Sequence, residues 1–238
     1  MVTFRLAPAS LPPGRRIYAI GDVHGMEAHL AALHQAIAAD LEARPTTSAL
    51  LVHLGDYLDR GPGSAAVLAR LVSGNPVAGT ESVYLRGNHE ALALAALDGG
   101  DAEAVDLWRM NGADPTLVSW GIDPSSGHEA WAARVPQEQL RFLRALRLCY
   151  REGPYFFVHA GVRPGAALAA QDGEDLVWIR EPFLSYRGDF GAVVVHGHTP
   201  IREPVVRPNR IGLDTGAVYG GKLTAAVLEE GRLGFLQV

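Results

Sequence analysis

Three short apolar segments in the first half of the sequence each end in a polar turn that contains glycine, and each turn leads into a helix pattern. Strand-loop-helix units in succession fold into a parallel or mixed sheet that helices cover. The polar turns then lie side by side at the carboxyl ends of the strands, where open α/β sheets bind ligands. The pattern predicts strands at residues 16–20, 49–54 and 82–85, and helices at residues 26–44, 64–72 and 90–97.

The second half of the sequence is rich in strand patterns. Residues 99–137 interrupt the alternation with Gly, Pro and three tryptophans, and we predict a partly helical insertion there that flanks the site. The expected fold is a two-sheet β-sandwich of the α/β class with helices outside, in one domain over residues 16–238 that follows a flexible segment at 1–15. After a helix near 138–147, strands are predicted at residues 155–159, 192–196, 205–206, 211–214, 223–228 and 233–238.

The composition is that of an ordinary globular chain, with 238 residues, 48% hydrophobic and 20% charged. A net charge of -5 argues against non-specific nucleic-acid binding, which needs a basic face. The single cysteine, Cys149, cannot form an internal disulfide and is interpreted as a small buried hydrophobe. The sequence shows neither a signal-peptide pattern nor an apolar run long enough to span a bilayer, so we expect a cytoplasmic protein without membrane partners.

Polar residues suited to metal binding stand at the ends of five predicted strands. A single Gly-Asp at a strand end is usually a turn, but five such motifs in order indicate a divalent metal site. The spacings from Asp22 to Asp56 and from Asp56 to Asn88 each match one βαβ crossover, which places the motifs on adjacent strands. The motifs are GDVHG at 21–25, GDYLDRG at 55–61, GNHE at 87–90, VHAG at 158–161 and HGHT at 196–199.

Taken in order, these motifs resemble those of the calcineurin-like metallophosphoesterases, and more narrowly the phosphoprotein phosphatase family in its bacterial and phage form. The resemblance extends from residue 16 to about residue 227. It implies two divalent ions, with manganese expected and iron, zinc, cobalt or nickel as alternatives. The ligands that the resemblance implies are Asp22 and His24 for the first ion, Asp56 as the bridge, and Asn88, His159 and His198 for the second ion.

The resemblance also implies a reaction in which a hydroxide that bridges the two metals attacks phosphorus in line. Arginine forks stabilise the phosphoryl oxygens, and Arg60 and Arg86 stand at the family positions with that role. Arg180 is predicted as a third phosphate-binding arginine, with an ordinary surface ion pair as the alternative interpretation. His89 with Asp59 resembles the family's acid pair, which supplies a proton to the departing alkoxide.

Several polar and aromatic residues have more than one interpretation in the sequence. His196 is either a partner of the ligand His198, a contact to the scissile group, or a structural residue. Asp214 either orients a ligand histidine or caps a turn. Solvated or core positions are favoured for His29, His34, His53 and His128, and core packing over substrate contact is favoured for Trp108, Trp120 and Trp131.

Three functions remain open at this point. The leading hypothesis is a serine/threonine phosphoprotein phosphatase, with dual specificity left open, acting on a phosphoprotein or a small phosphorylated substrate. The second is a symmetrical dinucleoside tetraphosphate hydrolase, because the resemblance covers both classes. The third is a non-catalytic metal- or nucleotide-binding module, against which the intact ligand set argues. The sequence carries no signal of oligomeric state or of the physiological substrate.

Overall fold

The computed structural model describes residues 2–99 and 102–238, and its first sheet has six strands. Strands β2, β3 and β4 are parallel, as the strand-loop-helix pattern predicts, and β10 joins β2 in antiparallel fashion. In sheet order the strands are β1 (Arg5–Leu6), β11 (Arg232–Gln237), β10 (Thr224–Glu229), β2 (Arg15–Ile20), β3 (Ser48–His53) and β4 (Thr80–Tyr84).

The second sheet has five strands from the second half of the chain. Strands β6, β7 and β9 are parallel, and the two edge strands run antiparallel to their neighbours. The two-sheet α/β architecture is therefore confirmed, while β5 is a strand that the sequence pattern did not indicate. In sheet order the strands are β5 (Cys149–Glu152), β6 (Tyr155–Val158), β7 (Val193–His196), β9 (Arg210–Gly212) and β8 (Val205–Val206).

Helices cover the sandwich, and three of those that the described residues form lie inside the predicted insertion. Gly100 and Asp101 of that insertion lie outside the described residues. The short helix before Ile179 was not predicted, because six residues are too few to show a clear period. The helices are α1 (Glu27–Ala43), α2 (Ser64–Val72), α3 (Asn88–Leu97), α4 (Ala102–Met110), α5 (Asp114–Ser119), α6 (Trp131–Arg134), α7 (Gln137–Ala145) and α8 (Gly173–Trp178).

Both faces of the first sheet are buried, which explains why its strands are continuous apolar runs. In β2, Ile17 packs between the two sheets, whereas Tyr18 belongs to the cluster beneath the helices. Because successive side chains of a strand point to opposite faces, this alternation fixes the register of β2. Phe157 and Val195 of the second sheet complete the layer between the sheets. The sandwich thus holds the carboxyl ends of β2, β3, β6 and β7 at one edge.

The amino-terminal segment makes defined contacts with the first sheet. Arg5 and Leu6 pair with Leu233 and Arg232 of β11, and Leu11 is buried. Flexibility of residues 1–15 stays a prediction, and the structure adds that part of the segment forms the edge of the sheet.

Two histidines form a buried pair behind the first sheet. Nε2 of His34 on α1 lies 3.1 Å from Nε2 of His53 on β3, and the His53 ring packs 4.9 Å from the ring of Tyr84. Burial lowers the pKa of His34 to about 4 and holds the pKa of His53 well below its ordinary value of 6.5. Both imidazoles are therefore core residues that fold in the neutral form.

A variant in which leucine replaces His34 should lose less stability than the parent protein when the pH is lowered. Above pH 6.5 both folded and unfolded His34 are neutral, but between pH 6.5 and about 4 only the unfolded chain takes up the proton. The depressed pKa thus removes on the order of 3 kcal/mol of unfolding free energy across that window. Urea unfolding of both proteins at pH 7 and pH 4.5 measures the difference, and equal losses would contradict the assignment.

Candidate active site

The polar motifs converge where strands of both sheets end. Asp22 and His24 follow β2, Asp56 follows β3, and Asn88 begins α3. His159 and His198 follow β6 and β7 of the second sheet. All six residues are buried. The six ligands predicted from the sequence therefore come from one edge of the sandwich, contributed by both sheets.

Asp56 lies at the centre of this cluster. Its Oδ2 lies 3.4 Å from Nε2 of His24, and its Oδ1 lies 3.4 Å from Nε2 of His159. Within the described ranges, two triads each place one ligand atom per residue within 4.8 Å of the others, His24–Asp56–His89 and Asp56–His159–His198. Asp56 belongs to both triads, which is the position that a bridging carboxylate requires.

Backbone carbonyls orient the ligand histidines. Nδ1 of His24 donates to the carbonyl of Leu58 at 2.8 Å, and Nδ1 of His159 donates to the carbonyl of Leu54 at 3.0 Å. In a neutral imidazole this leaves the Nε2 lone pair facing the cluster, as a metal ligand needs. Asn88 adds an amide oxygen 3.0 Å from both Nε2 of His159 and Nδ1 of His198.

Asp22 stands beside the triads and belongs to neither of them. Its Oδ2 accepts the backbone N–H of His198 at 2.9 Å. Burial raises the pKa of Asp22 well above its ordinary value, and the nearby carboxylate of Asp214 raises it further. Asp214 accepts the backbone N–H of Gly216 at 3.0 Å, so its recorded contact caps a turn, and the idea that it orients a ligand histidine stays a prediction.

The charges of the cluster fit divalent cations. Asp22, Asp56 and Asp214 expose at most 4% of their surface, and buried carboxylates need positive partners. Burial works to lower the pKa of His159, but the facing Asp56 outweighs it and raises that pKa to about 9. A proton held there marks a place where positive charge is favoured. With oxygen and imidazole donors on both sides of Asp56, the residues present fit a pair of divalent ions.

The predicted acid pair is assembled. Nδ1 of His89 lies 2.7 Å from Oδ2 of Asp59, and both side chains are fully buried. Burial works to lower the pKa of His89, but Asp56 and Asp59 outweigh it and the pKa is raised. Nε2 of His89 has no hydrogen-bond partner among the described residues. The imidazole can therefore hold a proton at Nε2 beside the Asp56 cluster.

The three predicted arginines have different surroundings. Arg60 donates from NH1 to Nε2 of His24 at 2.7 Å, which places its guanidinium at the first triad and on the lone pair that an ion bound by His24 would take. Arg180 lines an open groove of about 680 Å³. Burial lowers the pKa of His198 to about 3, and the positive charge of Arg180 contributes to that lowering. Arg86 donates to the carbonyl of Arg144 at 3.2 Å and makes no hydrogen bond to the ligand cluster in the described part of the chain.

Glu90 organises the loop that carries Asp56, a role that the sequence interpretation missed. Its Oε2 accepts the N–H groups of Asp56 and Gly87 at 2.8 and 2.9 Å. Its Oε1 accepts those of Tyr57 and Leu58 at 2.7 and 3.2 Å. The available signal was a glutamate in the first turn of a helix, where such side chains often bind free backbone N–H groups.

His196 lies two residues before His198 in the chain but outside both triads. Its Nδ1 lies 3.0 Å from the carbonyl of Gly197, its Nε2 lies 3.2 Å from NH1 of Arg210, and its ring packs edge-on against Phe183. These contacts support the structural interpretation of His196 rather than a contact to the scissile group.

The chain belongs to the calcineurin-like phosphoesterase family, whose model matches residues 15–233. It is 31% identical over 220 residues to serine/threonine-protein phosphatase 1 of Salmonella typhimurium, covering 90% of this chain and 93% of that protein. It is 27% identical to an asymmetrical bis(5'-nucleosyl)-tetraphosphatase of Anoxybacillus flavithermus, covering 87% of each. A solved cold-active protein tyrosine phosphatase shares the fold with a TM-score of 0.63 and 19% identity over 95% of this chain and 78% of that one.

No helix among the described residues combines the length and apolar character that crossing a membrane would require.

Replacing Glu90 with glutamine should destabilise the protein and weaken metal binding. The amide keeps one acceptor oxygen and turns an NH₂ group toward two backbone N–H groups, so two buried donors lose their partner. We expect the free energy of unfolding to fall by about 3 kcal/mol, and manganese affinity to fall because the Asp56 loop loosens.

Urea unfolding and isothermal titration with manganese measure both effects. Glu174→Gln, at an exposed position of α8, is the matched control and should change stability by less than about 0.5 kcal/mol. Equal behaviour of the two variants would remove Glu90 from the role assigned to it.

Proposed function

We propose that this chain is a metal-dependent phosphomonoesterase that acts on serine and threonine phosphates of proteins. The observation that carries the proposal is the His89–Asp59 pair. Nε2 of His89 lies 4.0 Å from Oδ2 of Asp56 and has no hydrogen-bond partner among the described residues. A relative named serine/threonine-protein phosphatase covers nearly the whole chain and supports the same substrate class. Manganese is the proposed ion, and iron, zinc, cobalt and nickel are alternatives, because mixed oxygen and imidazole ligands accept all of them. A cytoplasmic location stays a prediction from the sequence.

The side chains divide the reaction between them. Asp22, His24, Asp56, Asn88, His159 and His198 would hold two divalent ions, which when bound supply a hydroxide nucleophile and positive charge beside the phosphoryl oxygens. Arg60 adds a guanidinium at the same edge, suited to two phosphoryl oxygens at once.

His89 completes the reaction at the leaving group. As the ester P–O bond breaks, its electron pair stays on the alkoxide oxygen, which takes the proton from Nε2 of His89. Asp59 stabilises the imidazolium before that transfer and holds its Nδ1–H.

The acid pair also favours an alcohol ester over a dinucleoside polyphosphate. Serine alkoxide is a strongly basic leaving group, so its departure needs a proton in the transition state. Cleavage of a phosphoanhydride releases a phosphate group that is far less basic and needs little help. A buried His89–Asp59 pair, joined through Nδ1, therefore fits the monoester better, and the relative named as a tetraphosphatase supports the second candidate.

Hydrolysis assays test the proposal directly. The purified chain should hydrolyse p-nitrophenyl phosphate with added manganese and lose that activity with a chelator. In parallel assays, kcat/KM for a phosphoserine peptide should exceed that for diadenosine tetraphosphate by about tenfold or more, which corresponds to about 1.4 kcal/mol of transition-state binding. The reverse preference would select the tetraphosphatase function, and inactivity toward all three compounds would select the non-catalytic module.

Replacing His89 with asparagine should affect substrates according to their leaving group. Turnover of a phosphoserine peptide should fall by about 10²–10⁴-fold, which is the usual contribution of a general acid. Turnover of p-nitrophenyl phosphate should fall much less, because its phenolate leaves without a proton. His29→Asn, at a half-buried position of α1, is the control and should leave both rates unchanged. Equal losses on both substrates would refute the acid role.

A further inference from the structure

Among the described residues, three side chains contact the carboxylate of Asp59, and two of them come from the insertion. Nε1 of Trp108 on α4 donates to Oδ2 at 2.9 Å, the same oxygen that faces Nδ1 of His89. Oγ1 of Thr116 on α5 donates to Oδ1 at 2.7 Å. All four side chains are fully buried, so water does not compete for these bonds. Both oxygens of the carboxylate are thus fixed in plane and direction.

The insertion also holds the backbone beside that carboxylate. Asp59 and Arg60 have φ angles of 70° and 68°, a left-handed conformation that residues with a Cβ rarely adopt. The N–H of Arg60 donates to the carbonyl of Gly112 at 2.9 Å, between α4 and α5. The N–H of Asp59 lies 2.8 Å from Oγ1 of Thr116. Two consecutive strained residues persist only where their surroundings hold them. Here the insertion supplies contacts to both residues, and Ser64 of α2 adds one, with its Oγ 3.1 Å from the backbone nitrogen of Asp59.

We propose that Trp108 and Thr116 are positioning residues for the acid pair, and this inference rests on the function proposed above. By fixing Asp59, they hold the His89 imidazolium with its Nδ1–H directed at Oδ2 of Asp59 and its Nε2–H presented to the leaving oxygen. Neither residue touches the substrate in this role, since each acts through Asp59. A shift of the pair by a fraction of an ångström lengthens the proton transfer and slows only reactions that depend on it.

A purely structural role for Trp108 makes a different prediction. Its ring packs 6.5 Å from Trp120 and 6.2 Å from Trp131, so its loss could simply loosen the insertion. Trp131 is equally suited to test this, because it is 2% exposed and its Nε1 donates to Ser126. Trp131→Phe therefore removes one indole hydrogen bond from the same aromatic cluster without touching Asp59.

The experiment compares Trp108→Phe and Thr116→Val with Trp131→Phe and Thr116→Ser in the full-length chain. For Trp108→Phe and Thr116→Val, kcat on a phosphoserine peptide should fall by about tenfold or more, with KM within about twofold and kcat on p-nitrophenyl phosphate within about threefold. Thr116→Ser keeps the hydroxyl and should restore nearly the parent ratio of the two rates. Trp131→Phe should lower both rates equally or leave both unchanged.

Hydrogen exchange gives a readout that does not depend on turnover. The amides of Asp59 and Arg60 should exchange faster in Thr116→Val than in Trp131→Phe, because only the former loses a bond to this loop. Equal rate ratios in Trp108→Phe and Trp131→Phe, or a Thr116→Ser variant as impaired as Thr116→Val, would overturn the inference. A parent chain without phosphatase activity would instead refute the proposed function, and unchanged exchange at Asp59 and Arg60 would separately refute the hold of the insertion on the loop.

Discussion

The burial of the Asp56 carboxylate where the two sheets meet is the constraint on which the rest of the site depends. A carboxylate that exposes 1% of its surface is costly unless positive or donor groups surround it. Burial works to raise the pKa of Asp56, but His159 and His89 outweigh it and keep that pKa well below its ordinary value. One histidine comes from each side of the sandwich edge, so the packing of one sheet on the other is also what assembles the metal-binding geometry.

Close approach of backbone to carboxylate requires glycine at two positions of this edge. A Cβ on Gly87 would lie 2.1 Å from Oδ1 of Asp56, and a Cβ on Gly197 would lie 1.9 Å from Oδ1 of Asp22. The ligands themselves take up strain, since Asp56 and His198 have φ angles of 52° and 63°. Each such residue costs about 1–2 kcal/mol, and the four N–H bonds to Glu90 offset that cost for Asp56. The backbone of the site is thus strained locally, and contacts with the rest of the fold keep it in that conformation.

The sequence predicted those parts of the molecule that depend on local pattern. The parallel order of β2, β3 and β4 follows from apolar runs separated by helices, and the metal-ligand motifs follow from their place at strand ends. The strand β5 and the helix α8 are too short to show a period. The bonds from Trp108 and Thr116 to Asp59 span 49 and 57 positions, so only the packed chain brings them together. The guanidinium of Arg86 donates to the carbonyl of Arg144, a contact that the motif around Arg86 does not encode.

The insertion connects the predicted acid pair to the surface beside the candidate metal ligands. The α4–α5 connection binds the N–H of Arg60 through Gly112, and Met110, two residues earlier, is 85% exposed. The same helices bind Asp59 through Trp108 and Thr116. An insertion of different length or packing would therefore change the exposed surface, the Arg60 backbone and the acid pair together. Under the proposed function a basic leaving group needs the acid pair and a phosphoanhydride does not, so the packing of the insertion would influence which leaving group departs.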